Sequence, residues 1–357
     1  MGCGESKSAA SQVVDCSCKP SLLGAYELRE VLGQGAHGVV HRATQRTTSR
    51  EFAVKMIDRA EMHQCDVERE IAMMQRLQHP SVAKLHAVFP SESIGVCLVM
   101  ELYRGGDMIN AMTTYWKKQG MIPIDAMRGL SKQMWDSIAY VHSMDCVHRD
   151  VKGDNFMMDH REIATPNNRI YLSDFGTVCD CRPNQRLTKN CGTRSYWSPE
   201  FYGRNYAKKV DVWAIGVVMF GLVSGRFPFK GEREVRSKEV QVPKRCPADC
   251  AELIHMALAR QECQRPEARQ LAAHGFFHRD ALRLDDALRV DAAVAPPAAA
   301  AVEEVAAQGA RVTRILPHPV QVVMASGGSE EGKRQDCSIW REETRAPTTH
   351  NSYHEGL

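Results

Sequence analysis

The run His148-Arg149-Asp150-Val151-Lys152-Gly153-Asp154-Asn155, followed downstream by Asp174-Phe175-Gly176, gathers an acid, a lysine and two oxygen-bearing metal ligands. Asp150 can accept a hydroxyl proton and Lys152 can neutralise charge on a transferring group. Asn155 and Asp174 offer the oxygen donors that magnesium prefers. These are the parts phosphoryl transfer requires once a nucleotide is in place. A carboxylate is a weak base, so the main value of Asp150 is to orient the attacking hydroxyl in line with the phosphorus. His148 and Phe175 read as packing residues. The tripeptide alone is unspecific, because three common residues recur by chance; the octapeptide is specific.

Such groups act only if other elements hold them against a nucleotide. Gly33-Gln34-Gly35-Ala36-His37-Gly38 lies between two runs that suit strands, Tyr26 to Leu32 and Val39 to Ala43. Glycines there let backbone amides approach phosphate. The pattern G-x-G-x-x-G also fits a Rossmann turn, but that turn wants a helix directly after it, and here a strand follows. Phe52 to Ile57 reads as a third strand, on which Lys55 alternates with Ala53 and Ile57. Lys55 is then either a solvated strand lysine or a charge clamp on phosphates. Val67, Ile71, Met74 and Leu77 fall at helical spacing on a segment that carries Glu70. A lone Lys–Glu pair is worth little; its order after a glycine-rich turn favours the functional reading. Val96 to Met100 suits a buried strand. Met127, Leu130, Met134, Ile138 and Val141 mark a long helix just before the octapeptide. Val210 to Ser224, apolar almost all round, suits a helix buried in a large core.

The chain has 357 residues, 43% hydrophobic and 25% charged, ordinary for a globular protein with a sizeable core. With 46 basic and 43 acidic residues and no basic run, nothing compels a nucleic-acid partner. No apolar stretch approaches the roughly 18–20 residues of a membrane-spanning helix. The N-terminus lacks a secretory apolar region. The 13 cysteines stand singly or as Cys-x-Cys, without zinc spacing, which points to free thiols. Neither an internal repeat nor a calcium-binding loop is visible. Residues 1–25 read as an unstructured arm. Residues 278–357, alanine-rich and then polar, read as a mostly disordered tail in which Arg311 to Val323 is more apolar.

The octapeptide, Asp174-Phe175-Gly176, the glycine-rich turn and Ala53-Val54-Lys55 together resemble the eukaryotic protein kinases. The resemblance covers roughly Tyr26 to Phe277 with every part in order. It implies an α+β, bilobal fold: a small antiparallel-sheet lobe with one helix (26–100), a hinge (101–106) and a large, mainly helical lobe (107–277). It implies ATP and magnesium, with manganese as an alternative, held by Asn155 and Asp174. Lys55, paired with Glu70, would clamp the α- and β-phosphates. Leu32, Gly33, Gly35, Gly38, Val40, Ala53 and Met157 would enclose the nucleotide, with Met100 behind the base and the backbone of Glu101 and Tyr103 on adenine. Cys191 to Glu200 resembles the stretch that holds the substrate, with Ser198 where the family has alanine. Thr193 would hydrogen-bond the Asp150/Lys152 pair, Glu200 would pair with Arg265, and Asp211 would hold the catalytic loop. Lys152 implies serine/threonine specificity, and the closest flavour is the calcium/calmodulin-dependent or cyclic-nucleotide-dependent type. Intact Lys55, Glu70, Asp150, Asn155 and Asp174 speak against a pseudokinase. The complete 192–200 stretch speaks against a small-molecule kinase.

The same resemblance carries regulatory expectations. Arg149 would receive an activation-loop phosphate. The usual phosphothreonine position holds Lys189, so Thr188 beside it is the candidate switch, unless the loop needs no phosphate. Asp107 and Asp154 match acidic positions that read arginines upstream of the target hydroxyl, although Asp107 can instead cap a helix or bind the ribose. Met1-Gly2-Cys3-Gly4-Glu5-Ser6 fits the N-myristoylation pattern. One myristoyl chain anchors marginally, so palmitate on Cys3 would be the second signal. The expected protein is a monomeric cytoplasmic enzyme acting on Ser/Thr of proteins, anchored to the cytoplasmic membrane face if acylated at Gly2 and Cys3.

Overall fold

The computed structural model describes residues 21–35, 38–58, 63–91 and 95–278. The acylation signal at Gly2 and Cys3, residues Ala36 and His37 of the glycine-rich turn, and the chain beyond 278, with Arg311 to Val323, lie outside the described residues. After a short helix α1 (Leu22–Ala25), the strands β1 (Tyr26–Gly35), β2 (Gly38–Gln45) and β3 (Glu51–Ile57) are followed by helix α2 (Gln64–Arg76), β4 (Leu85–Ser91) and β5 (Gly95–Glu101). The five strands form one antiparallel sheet in the order β1-β2-β3-β5-β4. Val40 lies opposite Lys55, Lys55 opposite Leu98, and Ala53 opposite Met100. Because side chains alternate with period 2, these five share one face. The other face carries Ala43, Phe52, Val54, Cys97 and Val99 in a core closed by Leu22 and Tyr26. That packing makes the sheet a rigid plate behind Lys55.

The second part comprises β6 (Gly106–Asp107), α3 (Met108–Gln119), α4 (Ile124–Ser143), β7 (Cys146–Val147), β8 (Phe156–Met158), β9 (Ile170–Leu172), β10 (Cys179–Asp180), α5 (Pro199–Tyr202), α6 (Lys209–Ser224), α7 (Glu232–Ser237), α8 (Ala248–Ala257) and α9 (Ala268–Ala272). Every residue of α6 from Val210 to Val223 is buried, as expected for a helix apolar on all sides. At roughly 1.5–3 kcal/mol per fully buried large aliphatic side chain, this helix anchors the lobe. The small antiparallel ladders β6-β8-β9 and β7-β10 fix the ends of the loop 148–155 and of the segment that carries Asp174. Arg265 is fully buried and makes a bidentate pair with Glu200 (2.6 and 3.0 Å). It also donates to the carbonyls of Lys209 and Ala259 and lies over the Trp213 ring. These contacts satisfy a charge that would otherwise be costly to bury.

The expected strands and helices all form, giving a small antiparallel-sheet lobe and a mainly helical lobe. Several elements had no expectation above, β4 and α3 among them. β4 is an edge strand with half-buried residues and a proline, Pro90, so it shows no clean alternation. α3 did leave a signal, Met108, Ala111, Met112 and Tyr115 at helical spacing after the cap Asp107. The lobes are clasped where α2 ends. Arg76 donates to Asp180 Oδ1 (2.7 Å) and Met144 O (2.5 Å). His79 stacks on Tyr140 (4.8 Å), Ala83 N donates to Leu172 O (2.8 Å), and Leu172 N donates to Ser81 O (2.9 Å). The clasp aims the first residues of α2 and Glu70 into the cleft.

Candidate active site

The floor of the cleft is the loop between β7 and β8, and a single buried carboxylate organises it. Asp211, 1% exposed, accepts from the backbone N–H of Arg149 at Oδ1 and of His148 at Oδ2, both 2.8 Å, and from His142 Nε2 at 2.9 Å. Burial works against this charge, but the bonds from His142 and His148 outweigh it and hold the carboxyl below its usual range. Arg149 has φ +70° and Asp174 φ +61°, a region costly for non-glycine residues. The paired Asp211 bonds give one physical reason Arg149 can hold that conformation. The imidazole of His148 is fully buried and meets Phe175 edge-on at 5.7 Å.

Four residues converge above this base. Asp150 Oδ1 accepts from Thr193 N (2.9 Å), and its Oδ2 lies 3.2 Å from Lys152 Nζ. Lys152 also donates to Thr193 Oγ1 (3.0 Å). Asn155 Nδ2 donates to Asp150 O (2.8 Å), while Asn155 O accepts from Ser173 N and Ser173 Oγ, next to Asp174. The close docking of 191–193 against the loop requires Gly192. Its φ is +76°, and a Cβ there would sit 2.5 Å from Arg149 O and 3.0 Å from Asp150 Oδ1.

The roof is built differently. Lys55 Nζ meets Glu70 Oε1 at 2.6 Å, with side chains 13% and 2% exposed. Glu70 Oε2 is buried without a hydrogen-bond partner among the described residues. A Cβ placed on Gly176 would meet Glu70 Oε2 at 3.4 Å and Asp174 Oδ1 at 3.5 Å, so Lys55, Glu70 and Asp174 surround one small volume. Gly38 enters β2 with φ +121°, where a Cβ would collide with Met56 O at 2.0 Å. Leu32 and Gly33 are exposed on β1. Gly35 closes that strand opposite Gly38. Val40, Ala53 and Met100 line the sheet face of Lys55, and Met157 on β8 lies opposite Asp107 and Tyr171.

Beyond Met100 the chain leaves the sheet. The Glu101 side chain is turned to Arg50 (2.6 Å) and His86 (2.7 Å). Burial raises its proton affinity, but these partners hold it below the usual range. The Tyr103 ring stacks on Tyr171 at 4.1 Å. Side chains are thereby engaged at both positions, leaving backbone groups for recognition. Asp107 caps α3, accepting from Asn110 N (2.8 Å) and Asn110 Nδ2 (2.6 Å). The Asp154 carboxyl is pushed up by burial, with Lys152 opposing and Asp107 and Asp150 adding to the rise. Asp107, Asp150 and Asp154 therefore form one acidic neighbourhood. Thr188 is exposed, whereas Arg149 is buried and donates to Thr177 O (2.7 Å).

The donor set fits a hard divalent cation. Asn155 spends its nitrogen on Asp150 O, which leaves its carbonyl oxygen as the ligand, and Asp174 adds a carboxylate. Sequence reasoning missed the part Arg76 and Tyr140 play in clasping the lobes; neither belongs to a motif, and only the fold brings them to the cleft's rear.

The family model described as protein kinase domain matches residues 26–277. The chain is 32% identical to CBL-interacting protein kinase 4 of Oryza sativa subsp. japonica over 280 residues, 74% of this chain and 60% of that protein. It is 30% identical to serine/threonine-protein kinase SIK1 of Mus musculus over 281 residues, 75% of this chain and 35% of that one. A serine/threonine-protein kinase SIK3 homolog of Danio rerio is 31% identical over 268 residues, 71% of this chain and 22% of its own length. The matched region thus spans less than two thirds of each of these relatives.

Proposed function

The chain belongs to the eukaryotic serine/threonine protein kinase superfamily, in its calcium/calmodulin-dependent-like group, and from that premise we propose that it transfers the γ-phosphate of ATP to serine or threonine hydroxyls of proteins. The observation that carries the reading is the convergence of Asp150, Lys152, Thr193 and Asn155 on one floor beneath the Lys55–Glu70 pair. Asp150 orients the substrate hydroxyl and takes its proton. Lys152, bonded to both Asp150 and Thr193, supplies positive charge beside the transferring group and keeps Asp150 from rotating. Lys55 holds the α- and β-phosphates, with Glu70 setting the ammonium's position. Gly33, Gly35 and Gly38 bring backbone amides to the phosphates. Leu32, Val40, Ala53, Met100 and Met157 enclose the base, which the backbone of Glu101 and Tyr103 recognises. Asn155 and Asp174 would hold magnesium or manganese, which supplies charge neutralisation at the phosphates when bound.

Substrate choice follows from the acidic neighbourhood. Asp154 and Asp107 favour arginine or lysine upstream of the target hydroxyl, and the Asp107 cap on α3 holds its carboxylate in place. Acylation at Gly2 and Cys3 would tether the monomer to the cytoplasmic face of a membrane for signalling there. No helix among the described residues is long and apolar enough to cross one.

Transfer of labelled phosphate from ATP to a generic basic protein tests the reading. Asp150→Asn should lower the rate by roughly 10²–10⁴-fold, the worth of a positioned general base, with ATP binding retained. Equal activity in the variant, or none in the wild type, would overturn it.

A further inference from the structure

The conformation of the segment between Asp174 and Glu200 raises a question that the catalytic residues do not answer. An arginine preceding the catalytic acid is expected to await a phosphate, yet Arg149 is only 9% exposed and already engaged. Its Nε donates to Thr177 O at 2.7 Å. Tyr206 is fully buried, stacked on Phe201 at 4.2 Å, and its hydroxyl donates to the carbonyl of Lys189. This buried phenol therefore holds the backbone of the residue beside Thr188.

The backbone repeats the link. Leu187 N donates to Tyr206 O (2.8 Å), and Tyr206 N to Leu187 O (3.1 Å). Arg186 adds bonds to Asn205 Oδ1 (2.9 Å), to Asn205 O, and to Glu262 Oε2 (2.7 Å). Tyr206 sits in a separate apolar cluster with Val147, Cys181, Phe201 and Val210, against which Leu187 and Cys191 pack. Lys189 stands where a phosphothreonine was expected; the Asp66 carboxyl of α2 is held below its usual range mainly by its hydrogen bond from Arg69, to which the Lys189 charge adds a lesser pull. The segment is therefore pinned from 186 to 191 by groups of the unmodified chain.

We propose that Tyr206 is a positioning residue that fixes the 186–191 segment in the productive arrangement, so that catalysis needs no phosphate on Thr188. A buried tyrosine usually finds some partner for its hydroxyl. What sets Tyr206 apart is that its hydroxyl and its backbone both hold the segment that carries Thr188. A phosphate on Thr188, an exposed side chain, adds charge at the surface and replaces none of these bonds.

The inference rests on the kinase reading above, and its test separates the two. Wild-type protein is stripped of phosphate with a phosphatase and checked by mass. Its kcat and KM for a basic peptide and for ATP are compared with those of Thr188→Ala and Tyr206→Phe, and amide hydrogen exchange is followed across 186–192 in each. Stripped wild type and Thr188→Ala should match untreated enzyme in kinetics and exchange. Tyr206→Phe should exchange roughly tenfold faster across 186–192 and lose a similar factor in kcat/KM for peptide, with KM for ATP unchanged, as expected for losing a buried hydrogen bond. Loss of activity or faster 186–192 exchange on phosphate removal overturns the proposal, as does a Tyr206→Phe protein with wild-type exchange. Should Tyr206→Phe fail to fold, exchange in stripped against phosphorylated wild type still decides. A wild type that exchanges slowly but phosphorylates nothing leaves the docking intact and defeats the kinase reading instead.

Discussion

The floor and the roof of the cleft are held by different physics. In the floor, charged side chains bond to backbone: Asp211 grips His148 and Arg149, Asn155 grips Asp150, and Thr193 N grips the Asp150 carboxylate. Several of these groups are buried, and each bond fixes a main-chain atom, so the geometry exists before any substrate arrives. In the roof, the decisive contact is one side-chain pair, Lys55–Glu70, between a sheet and a helix. One of the Glu70 oxygens is buried with no hydrogen bond among the described residues. The floor is fixed through backbone atoms, whereas the roof depends on a single side-chain pair between β3 and α2.

The sharpest way to break this contrast is at Asp211. Asp211→Asn leaves one oxygen for three donors and sets an N–H against another N–H. Folding stability should fall by about 3–5 kcal/mol, the range for breaking a buried charged partnership. Activity should fall on the order of 10²-fold as Asp150 shifts. Thermal melting and steady-state rates read both, and a variant that melts like wild type would show that the floor is not held from Asp211. The depressed Asp211 carboxyl has a pH consequence of fixed sign. Its stabilisation is present above the unfolded carboxylate range and is lost as pH falls through its lowered folded value.

The roof should respond in the opposite pattern. Glu70→Gln keeps a hydrogen-bond acceptor for Lys55 and removes a buried, incompletely satisfied charge. Stability should change by less than about 1–2 kcal/mol, while kcat/KM drops on the order of 10²-fold because the Lys55 ammonium loses its fixed place. A loss of stability as large as that of Asp211→Asn would erase the distinction between floor and roof.

Legibility in the sequence followed the same division. The floor was readable because its residues are contiguous: the run His148 to Asn155 folds into one loop, and Asp174 and Thr193 lie within recognisable stretches. Lys55 and Glu70 were readable from strand alternation and helical spacing on neighbouring elements. The sheet register that puts Val40, Ala53 and Met100 on the Lys55 face follows from period 2 once the strands are set. What stayed illegible depends on long-range contact. Tyr206 is an ordinary apolar-looking residue until the fold lays 186–191 upon it. Arg76 is a surface arginine of α2 until Asp180 and Met144 come beneath it. β4, an edge strand with a proline, lacks the local pattern that would have announced it.

The smallest effect sharpens the contrast from the substrate side. Burial, aided by Asp107 and Asp150 and opposed by Lys152, raises the Asp154 carboxyl above its ordinary range. A raised carboxyl takes up its proton earlier as pH falls, and its attraction for a substrate arginine is lost with the charge. The KM for an arginine-containing peptide should therefore climb by about tenfold, the low end of the roughly 1.5–3 kcal/mol carried by a charged hydrogen bond, at pH values where ordinary surface carboxyls are still ionised. Asp154→Asn should show the raised KM at every pH and no further rise. In the proposed function ATP meets the roof through Lys55, so its KM should stay flat across the same window. If the two KM values climb in parallel, the titrating group acts on the nucleotide or on the whole cleft, and floor and roof do not divide the substrates between them.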